Sequence, residues 1–246
     1  MKNIALVTGA GSELGREVVG ELLNQGWGVV AACKDGDGVP MGREGMLAVT
    51  LDISRHATVV EAVAKGLSAF GRIDCLINIP EIDEDLLERG DFTRGIQAVF
   101  QTGIASGLNA TLALVPLFRH QGFGAVVQVI IQQHGPPGPL SSAWEVVRCV
   151  GERMADLVKS APRGLNVAVG LAELDWNESW GRRVAQPFNF SQQPTPHPRR
   201  EAVGNIVTEA CRALTEARAA FRRGSALTPA QYRWLESWKN AAQSAV

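Results

Sequence analysis

The chain contains one tyrosine in 246 residues, Tyr232, and the position four further on is Glu236. No phenol therefore has a lysine one helical turn away, which excludes a proton relay built from a neighbouring Tyr-x-x-x-Lys pair. Charge of one sign is equally scarce: 24 basic and 25 acidic residues leave a formal net charge of -1 and a pI near 6.4. Such a balance supplies no field for holding nucleic acid or an anionic membrane. The four cysteines, Cys33, Cys75, Cys149 and Cys211, form no Cys-x-x-Cys pair. Neither a disulfide framework nor a zinc ribbon is indicated, and they read as small apolar residues of a reducing compartment. His56, His120, His134 and His197 lack metal-ligand spacing, so no metal is expected. No apolar stretch approaches the ~18 residues that span a bilayer, and the opening residues are too few for a signal core. A cytoplasmic location is the expectation.

What is present is a hydrophobic content of 46%, enough over 246 residues for one large core, and a single domain over residues 1–246 is expected. Short apolar runs at residues 4–7, 29–32, 47–51, 75–77, 125–131 and 165–169 are continuous rather than alternating. Such runs suit strands covered on both faces, as in a parallel sheet. Between them, residues 15–25, 55–69, 93–118, 142–160 and 201–219 read as helices, giving a βαβ order. Two segments break the rhythm. Residues 173–200 carry Trp176, Trp180, Phe188 and Phe190 among four prolines, and read as a long loop that is either a surface excursion or a binding segment. Residues 228–246 carry Tyr232, Trp234, Leu235 and Trp238 after Pro229, a tail that docks on its own core or on a partner.

Thr8-Gly9-Ala10-Gly11-Ser12-Glu13-Leu14-Gly15 follows the first strand and opens a helix. With Asp52 after the third strand and Asn78 after the fourth, this turn resembles the Thr-Gly-x-x-x-Gly-x-Gly signature of the short-chain dehydrogenase/reductase family. The resemblance covers most of the chain. It implies an α/β fold, a Rossmann-type doubly wound parallel sheet of six to seven strands with helices on both faces.

The positions the family uses are altered. Of the turn glycines, Gly9 and Gly15 remain, but the second falls on Glu13, where bare backbone would let a pyrophosphate approach the helix N-terminus. Like charges at ~4 Å in an effective dielectric near 20 repel by about 4 kcal/mol, so weak or absent dinucleotide binding is expected unless Glu13 turns to solvent as a first-turn acid. The ribose-binding acid of NAD-dependent relatives falls on Cys33; Lys34 beside it either meets a 2′-phosphate or is a solvated charge. Asp52 matches the adenine-side aspartate, and Asn78 the first residue of a motif that degrades to Ile79-Pro80-Glu81. The resemblance places the active-site asparagine on Gly103, the serine on Ile131, and Tyr-x-x-x-Lys on Trp144 and Arg148. Ser142 and Glu145 read as a capping box starting that helix, and Ala172-Glu173 replaces the Pro-Gly that shapes the pocket in relatives.

An indole does not ionise in the useful range, arginine stays protonated, and isoleucine cannot polarise a carbonyl. The expectation is a chain without chemistry or cofactor of its own. It resembles the inactive subunits of heterotetrameric short-chain dehydrogenases, such as that of anaerobic toluene degradation, where active subunits oxidise (hydroxyphenylmethyl)succinyl-CoA with NAD. The implied partner is an active short-chain dehydrogenase paralogue in a heterotetramer, met through helices 93–118 and 142–160. Two alternatives stand beside it: an atypical NAD(P)-dependent oxidoreductase with relocated catalytic groups, and a dinucleotide or ligand sensor.

Overall fold

The computed structural model describes residues 2–34, 42–80, 92–133, 138–159, 167–176 and 197–222. Strands β1 (Ile4–Thr8), β2 (Gly28–Cys33), β3 (Met46–Thr50), β4 (Cys75–Asn78), β5 (Gly124–Gln133) and β6 (Val167–Trp176) form one sheet in the order β3-β2-β1-β4-β5-β6. Every pairing is parallel. The continuous apolar runs explain the layout. β1, β2 and β4 are buried along their whole length and occupy the middle, whereas β3, half-buried, is an edge.

Alternate residues of each strand feed two cores. Val7, Ala31, Ile77 and Val127 pack under α1 (Glu13–Asn24) and α6 (His197–Arg222), with Leu22, Trp27, Ile206 and Leu214. On the opposite face Leu6, Val30, Leu76 and Val126 meet α2 (His56–Phe70) and α4 (Ala105–Gln121), with Val63, Leu114 and Phe118. α3 (Phe92–Ala98) runs into α4 through one wider π turn, Val99–Ile104, and α5 (Pro139–Lys159) follows β5.

The doubly wound sheet agrees with the sequence reading, with six strands among the described residues. Three expectations are corrected. The stretch expected as a loop from residue 173 instead continues β6 to Trp176, because each of its positions pairs with the long β5, ending Gln133 against Trp176. α6 then begins at His197, inside the same expected loop. Residues 177–196, the tail 228–246 and His134 lie outside the described residues. The capping box is not formed: Gly138 N donates to Ser141 Oγ (2.9 Å), Ser141 Oγ donates to Gly138 O (3.0 Å), and α5 starts at Pro139. Glu145 is drawn instead to Arg148, a charge-assisted bond stronger than a cap to a neutral amide. Finally, one helical run, Thr93–Gln121, has the length and composition to cross a membrane, with mean hydropathy 1.4. It serves as a sheet-covering helix, through buried Ala110, Ala113, Leu114 and Phe118.

Two features pin the sheet. Near its carboxyl end, Thr8 Oγ1 donates to Asn78 Oδ1 (2.7 Å) and Asn78 Nδ2 donates to Gln128 Oε1 (3.0 Å), a buried polar row across β1, β4 and β5. At the opposite end Asp74, fully buried, accepts from Ile4 N (3.0 Å) and Arg72 Nε (2.7 Å). Arg72 and Arg218 each lie 5.2 Å from the centroid of Phe123, and Arg218 also donates to Asn3 Oδ1 at 2.9 Å.

Candidate functional site

The sheet changes direction at β1, whose neighbours are β2 and β4. A crevice outside the carboxyl ends of the strands belongs at such a switch point. A small crevice lies there, lined by Thr8, Gly9, Ala32, Cys33, Lys34, Leu51, Asp52, Ile53, Ile79 and Ser106.

Gly9 leaves β1 at φ 67°, and a Cβ there would lie 2.6 Å from Ile79 O. Only glycine lets the two strand ends approach so closely. Ser12 then caps α1: its Oγ accepts from Gly15 N (3.0 Å) and donates to Gly9 O (2.7 Å). Glu13 is the first residue of α1 and half-buried, at the positive end of the helix.

Asp52 forms one wall. Its Oδ1 accepts from Ser54 N (3.1 Å) and Ser54 Oγ (2.6 Å), and these bonds, with the charges of Lys34 and Arg55, hold the carboxyl below the usual carboxylate range. It is therefore ionised at neutral pH. Cys33 is buried at the end of β2, and Lys34, next in the chain, is exposed at the rim. Ser106 enters from the first turn of α4, its Oγ donating to Gly103 O (3.2 Å).

The remaining positions gather at the neighbouring end of β5. Ile131 (5% exposed) and Trp144 (4%) belong to one apolar cluster with Ile79, Ala172 and Val203, so packing fills what the family uses for chemistry. Gly103 is buried in the π turn. Arg148 faces outward and is held by Glu145 and Glu152, which fixes the guanidinium charge and lowers the Glu145 pKa. Asn78 lies in the sheet-pinning row rather than in the crevice lining.

Sequence reasoning missed three contributors. Gln128 is the one polar residue in the run 125–131, a signal that it had a buried partner. Ser54 and Asn109, which shape the Asp52 turn, carry no signal without the fold.

The short chain dehydrogenase profile matches residues 3–143, more than half the chain. The chain belongs to the short-chain dehydrogenase family. Among curated proteins, the chain is similar to the oxidoreductase BOA17 of Botryotinia fuckeliana, 28% identical over 230 residues that cover 85% of this chain and 80% of the relative. It is also similar to a 2-dehydro-3-deoxy-L-rhamnonate dehydrogenase (NAD(+)) of a Sphingomonas species, 26% identical over 57% of this chain and 58% of the relative. Among solved structures, the 3-ketoacyl-(acyl-carrier-protein) reductase of Brucella melitensis, complexed with NADH, shares the fold at a TM-score of 0.56. It is 24% identical, covering 70% of this chain and 75% of that one.

These findings overturn the expectation of a chain that is no enzyme. The matched family is that of the short chain dehydrogenases, and the curated relatives are named as an oxidoreductase and a dehydrogenase. The side chains at positions 131, 144 and 148 cannot themselves relay a proton at neutral pH. The likeness to an inactive subunit of a toluene-degrading complex likewise finds no support among these relatives.

Proposed function

We propose that this short-chain dehydrogenase is an oxidoreductase dependent on NADP(H), held by its adenosine half in the crevice at the β1 switch point, with proton transfer assigned to groups other than positions 131, 144 and 148. The observation that carries the reading is the pairing of Lys34 and Asp52 across one crevice, with a thiol, Cys33, where a ribose-binding acid would repel a phosphate. When bound, the nicotinamide ring would give or take the hydride. The chain's residues do the rest. Asp52 would accept from the adenine amine, the Lys34 ammonium would hold the 2′-phosphate, and Gly9 would leave room for the pyrophosphate at the amino end of α1. Glu13 sits at that helix end, and its carboxylate has to point away from the phosphates, which keeps affinity modest.

NADPH is therefore expected to bind more tightly than NADH in calorimetric titration, and Lys34→Glu to weaken NADPH by about tenfold or more while changing NADH little. If NADH bound the wild-type chain as well as NADPH, the phosphate assignment would be wrong. If neither bound at about 1 mM, the dinucleotide reading would fall altogether.

A second observation favours assembly. The large apolar side chains exposed among the described residues are Ile96, Phe100, Leu108, Leu112 and Val146, all on the α3–α4 run or α5. Phe100 is 58% and Leu112 54% exposed. These are the helices through which the family resemblance implies assembly, so the surface fits another short-chain dehydrogenase chain presenting the same helices. Native mass spectrometry is expected to give an oligomer, either alone or after co-expression with an intact paralogue, and Leu112→Glu to reduce it to monomer. A wild-type chain that stayed monomeric in both preparations would refute the assembly.

A further inference from the structure

The crevice wall that carries Asp52 is held from outside its own segment. Asn109, on α4, donates Nδ2–H to Ile53 O at 2.9 Å, a bond spanning 56 residues of sequence. It lies one turn beyond Ser106, which lines the crevice, so a single stretch of α4 both lines the site and ties down its wall. The wall is otherwise a short turn closed locally: Arg55 N donates to Asp52 O (3.0 Å), and both Ser54 donors fall on Asp52 Oδ1. With Oδ1 engaged, Oδ2 is the acceptor left for a base. Local bonds fix the carboxylate within the turn. They do not fix the turn relative to the crevice. Two side chains reach the turn from other elements: Thr58, in the first turn of the adjoining α2, donates Oγ1–H to Asp52 O (2.5 Å), and Asn109, distant in sequence, ties Ile53 O to the helix that also lines the crevice.

We infer that Asn109 is a positioning residue: by anchoring Ile53 it sets Asp52 Oδ2 where it accepts from the 6-amino group of adenine, and so selects 6-amino over 6-oxo purine dinucleotides. The inference rests on the dinucleotide reading above. A 6-oxo purine turns a carbonyl oxygen toward the ionised carboxylate, replacing a donor-acceptor contact by two facing acceptors. Discrimination depends on the carboxylate being held still, because a mobile turn can swing away from the wrong base at little cost.

The experiment compares NADPH with nicotinamide hypoxanthine dinucleotide phosphate by calorimetric titration of the whole chain. The wild type is expected to prefer NADPH by about tenfold. In Asn109→Leu and Asn109→Ala the ratio is expected to fall to within about twofold, mostly through weaker NADPH binding. Ser54→Ala, an exposed substitution that frees the same carboxylate, is expected to lower the ratio too and keeps the test open if the Asn109 variants fold poorly. A merely structural Asn109 would weaken both ligands equally and leave the ratio unchanged, which overturns the inference. So does a wild type that binds both ligands equally, although dinucleotide binding then stands. A wild type that binds neither removes the dinucleotide reading and this inference with it.

Discussion

Gly15→Ala is expected to cost about 3 kcal/mol of stability and to abolish dinucleotide binding in the molecules that still fold. The new Cβ would overlap the Gly9 carbonyl oxygen and lie 2.8 Å from Ala10 Cα. Those atoms are backbone, and neither can rotate out of the way. Gly9 is itself pressed against Ile79, and Ser12 is bonded to both Gly9 O and Gly15 N, so the displacement passes into the turn that faces the crevice. Gly204→Ala is the control: its Cβ meets nothing within 4 Å, and α6 is expected to gain about 0.5–1 kcal/mol from the better helix former. Urea unfolding of both variants, with NADPH titration of the first, checks the pair. Equal midpoints would show that the turn tolerates a side chain there.

The second large effect is at the other end of the sheet. Asp74→Ala is expected to destabilise the chain by about 3–5 kcal/mol, because it removes one side of a buried ion pair and leaves the rest. Ile4 N loses its acceptor, and the Arg72 guanidinium loses its buried counter-charge. Arg218, 4.0 Å from Asp74 Oδ2, loses its attraction to that edge. Asp74→Asn, which keeps an acceptor for Ile4 N, is expected to cost less than the alanine variant. Chemical denaturation gives both numbers. If both variants unfolded like the wild type, the arginine stacking on Phe123 would be holding this edge without the carboxylate.

Much of the fold was legible because its signals are local. Unbroken apolar runs gave the strands to within one or two residues over β1 to β4, and the glycine turn placed α1. The far ends of β5 and β6 were not legible. Gln132, Gln133, Glu173 and Asp175 carry no strand propensity, and each strand extends through the other's backbone, a long-range pairing that a window of sequence does not contain. The same division holds in the crevice. Asp52 and Lys34 stood out by their place after a strand, but what orients Asp52 is a hydroxyl two residues on and an amide 57 residues away. Of the positions that the resemblance implies for catalysis, Trp144 and Ile131 are buried in the core. Side-chain chemistry at positions 103, 131, 144 and 148 decides only that this proton route is closed.

The clip at the amino edge of the sheet also sets when the molecule can finish folding. Asn3 and Arg218 are joined across 215 residues, and α6 covers α1, β5 and β6. A chain emerging from the ribosome can pair β1, β2 and β4 early, but one apolar face of β5 and β6 stays bare until α6 has been made. Contacts of such separation are slow to form, and the uncovered strands are the surface on which a stalled or truncated chain would aggregate.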